Sequence, residues 1–259
     1  MRDTDNTDDI ADARGAHGAH RPAVIELRRY TLRSGRRDEL IELFDRELVE
    51  TQEETGMSVL GQFRDLDDPD RFVWLRGFPD MASRRRSLAA FYDGPVWAAH
   101  GPRANDTMVD SDDVLLLRPL TERTGFAGHR PERRGAPGTA APDRFVAVTL
   151  WSFPPGVQDG AGLIREGLLP LLRETGPAPL AALTTETAPN TFPRLPVREG
   201  ENVVAVVTSY PDEPAHHAHA KALEAHPGMR DELLPTLNRT QHSPPQLLRL
   251  TPTGRSLVR

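Results

Sequence analysis

Residues able to do chemistry alternate along two strand-like segments of the chain. The segment VIELRRYTL carries Glu26, Arg28 and Tyr30 at every second position, and RFVWLRGF carries Trp74 and Arg76 in the same way. Because successive side chains of a strand point to opposite faces, each set shares one face of its strand. Arginine binds or polarises a carboxylate or enolate oxygen, aromatic rings stack on planar molecules, and a glutamate can move a proton. The pattern therefore predicts a polar pocket for a small molecule.

A histidine adds a second candidate for proton transfer. Trp97 and His100 are three residues apart, so they share one face of a predicted helix. Histidine titrates near neutral pH, which suits a general acid or base, although a lone histidine is more often a surface or packing residue. Both interpretations of His100 stay open. The full set of candidates is Glu26, Arg28, Arg76 and His100 for catalysis, and Tyr30, Gln62, Trp74, Tyr92, Trp97, Asn105 and Met108 for substrate binding.

The two halves of the chain show the same order of predicted elements. In each, a strand precedes a helix that ends on Glu-Thr-Gly, a hairpin follows, and an aromatic-Pro-Asp step starts a second helix before a last strand. The matching landmarks are Gly56 and Gly176 at the helix ends, and Asp80 and Asp212 at the helix starts. Glycine supplies the left-handed conformation that closes many helices, and aspartate caps helix starts. We therefore predict a tandem repeat of the order β-α-β-β-α-β.

Composition divides the chain into five predicted segments. Stretches with little to bury, or rich in Gly, Pro and Arg, predict a leader, a linker and a tail around the two repeats. The second repeat is longer in its hairpin, where PNTFPRLPVREG predicts a surface loop. The segments are a disordered leader at 1–21, a first ferredoxin-like domain at 22–120, a linker at 121–143, a second, diverged ferredoxin-like domain at 144–253, and a tail at 254–259.

The predicted fold class is α+β, with the two ferredoxin-like repeats closed into one intramolecular α/β barrel of the dimeric type. Each repeat predicts a four-stranded sheet with both helices on one face, and stacking the two open faces buries them. We predict that the apolar Ile25 and Leu27, with Val73 and Leu75, face the helices, so that Glu26 and its companions line the barrel. A structural ion pair and the polar wall of a pocket both stay open there. The second repeat lacks these charges, which predicts a site in the first half alone.

Three segments of the first half together resemble the NIPSNAP family, a branch of the dimeric α/β-barrel superfamily. They are VIELRRYTLRSGRRDELIELF, GQFRDLDDPDRFVWLRGFPDM and FYDGPVWAAHGPRANDTMVDSDDVLLLRPL. The resemblance spans about residues 23 to 120, and residues 144 to 252 resemble the same domain only in outline. It implies the barrel fold but no reaction, because NIPSNAP proteins are mostly without assigned chemistry. Related barrel families include cofactor-free monooxygenases, polyketide cyclases, isomerases, decarboxylases and haem enzymes, and analogy of fold is a weak guide among them.

Three classes of function follow from these observations. The leading prediction is a small-molecule enzyme of secondary metabolism that needs no cofactor and no metal, and acts on a planar or polyketide-like metabolite as a cyclase, isomerase or monooxygenase. The first alternative is a binding or scaffold protein without catalysis, which leaves open whether the protein is an enzyme. The second alternative is a haem protein, with His226 as an axial ligand.

Bulk composition excludes several partners. A net charge of -6 gives nucleic acid no electrostatic reason to bind, and the apolar runs are far shorter than the roughly 20 residues that a membrane span needs. The N-terminal residues contain no apolar signal segment, which predicts a cytoplasmic protein, and zero cysteines exclude thiolate metal sites. Arg84 to Arg86, and His216, His217 and His219, are predicted to be solvated. The chain is predicted to form its own pseudo-dimer, and a further homodimer stays possible.

Overall fold

An antiparallel sheet that closes on itself organises the molecule. The computed structural model describes residues 21–128, 134–156 and 159–259, so the predicted leader lies outside the described residues except for Arg21. The strands in this part of the chain are β1 (Val24–Leu32), β2 (Ser58–Asp65), β3 (Arg71–Phe78), β4 (Met108–Asp110), β5 (Val114–Pro119), β6 (Phe145–Ser152), β7 (Ala181–Thr185), β8 (Val203–Tyr210) and β9 (Gln246–Pro252).

Helices cover the outer face of this sheet. Wider π-helical turns at Phe44–Leu48, Leu163–Leu168 and Gly228–Leu233 adjoin several of them. As predicted, Asp80 and Asp212 cap the starts of two helices, where their carboxylates accept hydrogen bonds from the backbone N–H groups of Ser83 and Ala215. In the described part of the chain, none of the helices is long and apolar enough to cross a membrane. The helices are α1 (Arg37–Leu43), α2 (Val49–Glu54), α3 (Met81–Tyr92), α4 (Pro95–Asp106), α5 (Asp159–Gly162), α6 (Leu169–Thr175), α7 (Glu213–Ala225) and α8 (Leu234–Thr240).

Strand order shows how the two halves close the barrel. The first half has the order β5-β1-β3-β2 and the second has β9-β6-β8-β7, so in both the first strand lies between the last and the third. The halves meet where β2 pairs with β9 and where β5 pairs with β7, and every strand pair is antiparallel. The predicted fold, an α+β chain with one intramolecular barrel built from two β-α-β-β-α-β units, is confirmed. That the halves are a sequence repeat stays a prediction.

The interior of the barrel is apolar, which corrects the predicted assignment of strand faces. Ile25, Leu27, Val73 and Leu75 pack together with aliphatic side chains of the second half, such as Val148, in one buried cluster. The polar and aromatic side chains of the same strands lie on the other face, beneath the helices of the first half: Glu26, Arg28, Tyr30, Phe72, Trp74, Arg76 and Phe78.

The error has a physical cause. Alternation separates the two faces of a strand, but both faces of these strands are buried, so the pattern does not tell which one faces the barrel. The side chains that fill the barrel interior come mainly from strands and are mostly aliphatic, whereas a helix can carry a polar partner to the outer face. Arg84 of α3 is such a partner for Glu26.

Segments outside the two predicted domains help to close the barrel. Phe126, from the predicted linker, and Val258, from the predicted tail, both belong to the buried cluster of the barrel interior. The backbone N–H of Val258 donates a hydrogen bond to the carbonyl of Leu60 in β2. These residues therefore contribute to the core of the fold.

Candidate functional site

A cluster of four buried charged side chains lies between the sheet and the helices of the first half. Oε2 of Glu26 accepts hydrogen bonds from Nη1 of Arg28 and Nε of Arg76, both at 2.7 Å, and Oε1 accepts one from Nε of Arg84 at 2.6 Å. All four side chains are at most 1% exposed to solvent. One carboxylate therefore organises three guanidinium groups in the protein interior.

Local structure explains how the chain brings these groups together. Glu26 of β1 lies directly across from Arg76 of β3 in the antiparallel register, and Arg28 follows on the same face. Arg84 lies one turn after the cap residue Asp80, on the face of α3 that also buries Leu88. The sequence-based prediction that the run from Arg84 to Arg86 is solvated is thus wrong for Arg84 and holds for its two neighbours, which are exposed.

The cluster carries more positive than negative charge. Burial alone would raise the pKa of Glu26, but attraction to Arg76, Arg28 and Arg84 outweighs burial and holds that pKa well below its usual range. Glu26 is therefore ionised, and three guanidinium groups against one carboxylate leave two positive charges in excess. Nη2 of Arg76 and Nη2 of Arg84 have no hydrogen-bond partner among the described residues.

An aromatic wall adjoins the arginines. The guanidinium of Arg76 lies 5.1 Å from the ring centroid of Trp74 and donates to the hydroxyl of Tyr92 at 3.4 Å, while Nε of Arg28 donates to the hydroxyl of Tyr30 at 2.9 Å. Beside them is a cavity of about 20 Å³, enough for one water molecule. Its lining consists of Tyr30, Leu40, Phe44, Leu48, Gln52, Trp74, Phe91, Tyr92, Trp97, Ala104 and Met108.

Comparison with known proteins finds a family match for the half of the chain that holds this cluster. The NIPSNAP family model matches residues 25–121. We call this matched segment, residues 25–121, the NIPSNAP domain. The predicted resemblance is therefore confirmed, and the charged cluster lies within the matched range apart from its contacts with the second half. No curated protein matches the sequence.

Solved structures show that the fold of the whole chain occurs elsewhere. A candidate monooxygenase from Fusobacterium nucleatum subsp. nucleatum aligns over 90% of this chain and 94% of its own, with 9% identity and a TM-score of 0.58. One from Lactobacillus acidophilus aligns over 92% and 99%, with 14% identity and a TM-score of 0.54. An anthrone oxidase-like protein aligns over 93% and 96%, with 13% identity and a TM-score of 0.51. At these identities the likeness shows a shared fold.

The NIPSNAP domain brings most of the predicted site residues together, but three belong neither to the arginine cluster nor to the lining of the cavity. Gln62 of β2 lies opposite Trp74 of β3 and is fully buried, and its side-chain amide has no hydrogen-bond partner in the described part of the chain. His100 lies 3.6 Å from Glu47, with about a third of its side chain exposed, and Asn105 is exposed. The predicted roles of these residues stay predictions, and the structure gives His100 no direct contact with the arginine cluster.

Among the residues of the second half that the structure describes, no equivalent of the charged cluster is present. Where the NIPSNAP domain pairs Glu26 with Arg76 across two strands, the second half pairs Ala147 with Thr208 in the same relation. The asymmetry predicted from the sequence is therefore present in the structure. The candidate site belongs to one half.

Histidines fill part of the matching space in the second half. His219 is 5% exposed, and its Nδ1 accepts a hydrogen bond from the Tyr210 hydroxyl at 2.8 Å. Because the Thr175 hydroxyl donates to the backbone, it accepts from Nε2 of His219, which fixes the tautomer. The prediction that these histidines are solvated is thus wrong for His219. Three histidines lie close together at the start of α7, and the sequence alone does not show which of them faces the sheet.

Another buried carboxyl group, that of Asp45, lies apart from the arginine cluster and lines a cleft of about 430 Å³. Arg255, near the C-terminus, donates a hydrogen bond to the backbone carbonyl of Asp45. Burial raises the pKa of Asp45 to about 6, although Arg255, Arg134 and Arg64 act in the opposite direction. An unfolded aspartate has a pKa of about 3.9, so the folded state binds the proton more tightly and loses stability as the pH rises from about 4 to 6.

We therefore expect Asp45→Asn to remove the loss of stability that ionisation of Asp45 causes as the pH rises. The stability of the variant relative to that of the wild type should rise between pH 4 and pH 7, and the variant should be the more stable protein at pH 7. Urea unfolding at several pH values measures this, with the exposed Asp38→Asn as the control. A variant that is less stable than the wild type at pH 7 would contradict the assignment.

Proposed function

We propose that the NIPSNAP domain binds a planar organic anion between its sheet and its helices, and that it converts this molecule without a metal or nucleotide cofactor. The reaction class is cyclisation, isomerisation or oxygenation of a polyketide-like metabolite. One observation carries the proposal: two buried positive charges in excess beside an aromatic-lined cavity.

Excess buried charge is costly unless something compensates it. The effective penalty for an unpaired buried ion is several kcal/mol, so an arrangement with three guanidinium groups around one carboxylate is a poor choice for stability alone. An anionic oxygen supplied by a ligand would accept from the N–H groups of Arg76 and Arg84 that have no partner among the described residues. The ring of Trp74 would stack on the planar part of the same ligand.

The arrangement suits chemistry in which negative charge forms on oxygen. Loss of a proton from carbon next to a carbonyl places charge on the carbonyl oxygen, and preorganised guanidinium groups stabilise that charge. Glu26 is a weak base because its pKa is lowered, so it holds the arginines in place. The hydroxyl of Tyr92 accepts from Arg76 and keeps its own proton to donate into the cavity. In this proposal a solvent water molecule accepts the proton from carbon, and Tyr92, in place of Glu26, donates its proton to the oxygen on which the negative charge forms.

A second candidate is a binding protein without turnover. Both oxygens of Glu26 are fully engaged, and the cavity has room for only one water molecule, so any larger ligand requires part of the wall to move. Haem is less well supported, because both ring nitrogens of His226 are engaged, by Glu174 and by the backbone N–H of Gly228. Two structural neighbours are named as a candidate monooxygenase and an anthrone oxidase-like protein, and for this reason oxygenation is the first reaction to test.

Ligand binding tests the arginine cluster. We expect 2-naphthoate to bind, and the neutral 2-naphthamide of the same shape to bind much more weakly. Arg84→Gln should weaken binding of 2-naphthoate about 10- to 100-fold, because a hydrogen bond to a charged group contributes about 1.5–3 kcal/mol. Arg85→Gln, at the exposed neighbouring position of the same helix, is the matched control and should bind like the wild type. Titration calorimetry measures all four affinities, and equal losses in both variants would refute the proposed site.

Turnover separates the enzyme from the binding protein. Anthrone, incubated with the protein in oxygenated D2O, would take up deuterium at its acidic carbon if the protein abstracts a proton. It would give anthraquinone and water, with uptake of one dioxygen, if the protein catalyses oxygenation. Mass spectrometry and an oxygen electrode distinguish these products. If the wild type and the Arg76→Gln variant convert anthrone at the same rate, the arginine cluster does not catalyse the reaction, and only the binding function remains.

A further inference from the structure

The insertion in the second half's hairpin lies over the arginine cluster of the NIPSNAP domain. We call residues 186–202, which join β7 to β8, the strap. The sequence predicts a surface loop here, yet Phe192 and Leu195 of the strap pack against the core beneath the helices of the first half. The second half thus contributes residues to a site whose charges all come from the first.

The strap contacts Arg84 directly. Nη1 of Arg84 donates to Oδ1 of Asn190 at 2.9 Å and to Oγ1 of Thr191 at 3.3 Å. The strap acceptors are neutral, whereas the group they contact belongs to a cluster with positive charge in excess. Nη2 of the same guanidinium has no partner in the parts of the chain that the structure describes.

The strap also covers the aromatic wall. The ring of Phe192 stacks on Tyr92, with centroids 6.1 Å apart and an angle of 29° between the planes. Arg194 pairs with Asp93 at 2.6 Å, at the end of α3, in an exposed ion pair of the kind that contributes little to stability. At this end the Thr191 hydroxyl also donates to the carbonyl of Met81 at 3.2 Å, and the guanidinium of Arg194 lies 5.6 Å from the ring centroid of Tyr92.

We infer that the outer edge of Arg84 is a seat for a ligand carboxylate, and that Asn190 and Thr191 occupy this seat until the ligand displaces them. This inference rests on the proposed function and names its substrate class, a planar carboxylic acid. A carboxylate accepts hydrogen bonds from Nη1 and Nη2 of one guanidinium in a bidentate pair. The oxygens of Asn190 and Thr191 are neutral and both contact Nη1 only, so they bind the guanidinium less strongly than a carboxylate would. The strap is thus a built-in competitor that closes the site in the absence of ligand.

Two substitutions at one position give opposite expectations. Asn190→Asp places a carboxylate on Arg84 within the protein, so it should weaken binding of 2-naphthoate about tenfold or more and raise the free energy of unfolding. Asn190→Ala removes the main competing acceptor, so it should tighten binding about tenfold, because the ligand then satisfies an N–H that the free protein leaves unpaired. Glu199→Gln, an exposed position of the strap, is the control and should leave the affinity unchanged.

Calorimetric titration of the full chain with 2-naphthoate decides the matter. Opposite shifts for the two Asn190 variants support the seat, because a strap with a purely structural role would move both affinities in one direction. If the wild type binds 2-naphthoate and both variants shift together, or not at all, the seat is refuted while the proposed function stands. If the wild type binds no 2-naphthoate at millimolar concentration, the proposed function and the seat are both overturned.

Discussion

Glu26→Gln is expected to lower the free energy of unfolding by about 3–5 kcal/mol, the usual cost when one partner of a buried ion pair is removed. The substitution keeps the shape of the side chain but leaves three guanidinium groups without their common counter-charge. Urea unfolding, followed by tryptophan fluorescence, measures the change at pH 7. The exposed Glu42→Gln, which breaks the surface pair with Arg46, should cost no more than about 1 kcal/mol.

The sign of the excess charge makes a sharper comparison possible. Because positive charge exceeds negative charge in the cluster, removal of one guanidinium by Arg84→Gln should destabilise the protein less than removal of the only carboxylate. A greater loss for Arg84→Gln than for Glu26→Gln would show that the cluster is not net positive.

The stability that Glu26 contributes should depend on pH in one direction. Its folded pKa lies below its unfolded value of about 4.3, so its contribution is present in full above that value and is lost as the pH falls towards the folded pKa. The difference in stability between the wild type and Glu26→Gln should therefore shrink only below about pH 4. A difference that shrinks between pH 5 and pH 7 would indicate another titrating group.

The order of strands and helices could be predicted because residues that start and end helices mark it in the sequence. Asp80 and Asp212 cap helices as their positions after proline predict, and Gly56 has the positive φ of 91° that suits a residue closing a helix. The same prediction is wrong for Gly176, which ends its helix in an extended conformation with a φ of -173°. The closed barrel followed from the need to bury the open face of each sheet. These conclusions use interactions within a few residues or the general rule that apolar faces are covered.

The location of the candidate site required information that strand alternation does not contain. Glu26 and Arg76 were correctly placed on one face, but whether that face meets the barrel or the helices depends on the partners that the helices carry. The relevant partner is Arg84, and a signal for it exists: Arg84, Leu88 and Phe91 follow the three- and four-residue spacing of one buried helix face. The mixed composition of α3 hid this spacing.

The strap could not be located from sequence for a different reason. The Pro-rich insertion has no periodicity, and its contacts with Arg84 and Tyr92 join residues about 100 positions apart. Such contacts depend on how the two halves meet, which the pairing of β5 with β7 determines. Local propensity therefore predicts a loop, and only the closed barrel shows what the loop covers.

The corrected barrel interior leads to the second large effect. Phe63 of β2 is fully buried among the aliphatic side chains of both halves. A Cβ added at Gly61 would lie 2.5 Å from the ring of Phe63 and 3.2 Å from Val258, so the glycine leaves room for this ring. We expect Phe63→Ala to lower the free energy of unfolding by about 3–5 kcal/mol, and Gly61→Ala to lower it by about 1–3 kcal/mol.

The double variant tests whether these two effects share one space. In Phe63→Ala/Gly61→Ala the new methyl group occupies part of the volume that the ring vacates, so the double variant should be at least about 1 kcal/mol more stable than the sum of the single losses predicts. Urea unfolding of the four proteins gives the coupling, and Leu66→Ala, at a half-exposed position of the same hairpin, should change stability by no more than about 0.5 kcal/mol. Strictly additive losses would show that the ring does not pack against Gly61, and the apolar faces of the strands would then not meet in the barrel as described.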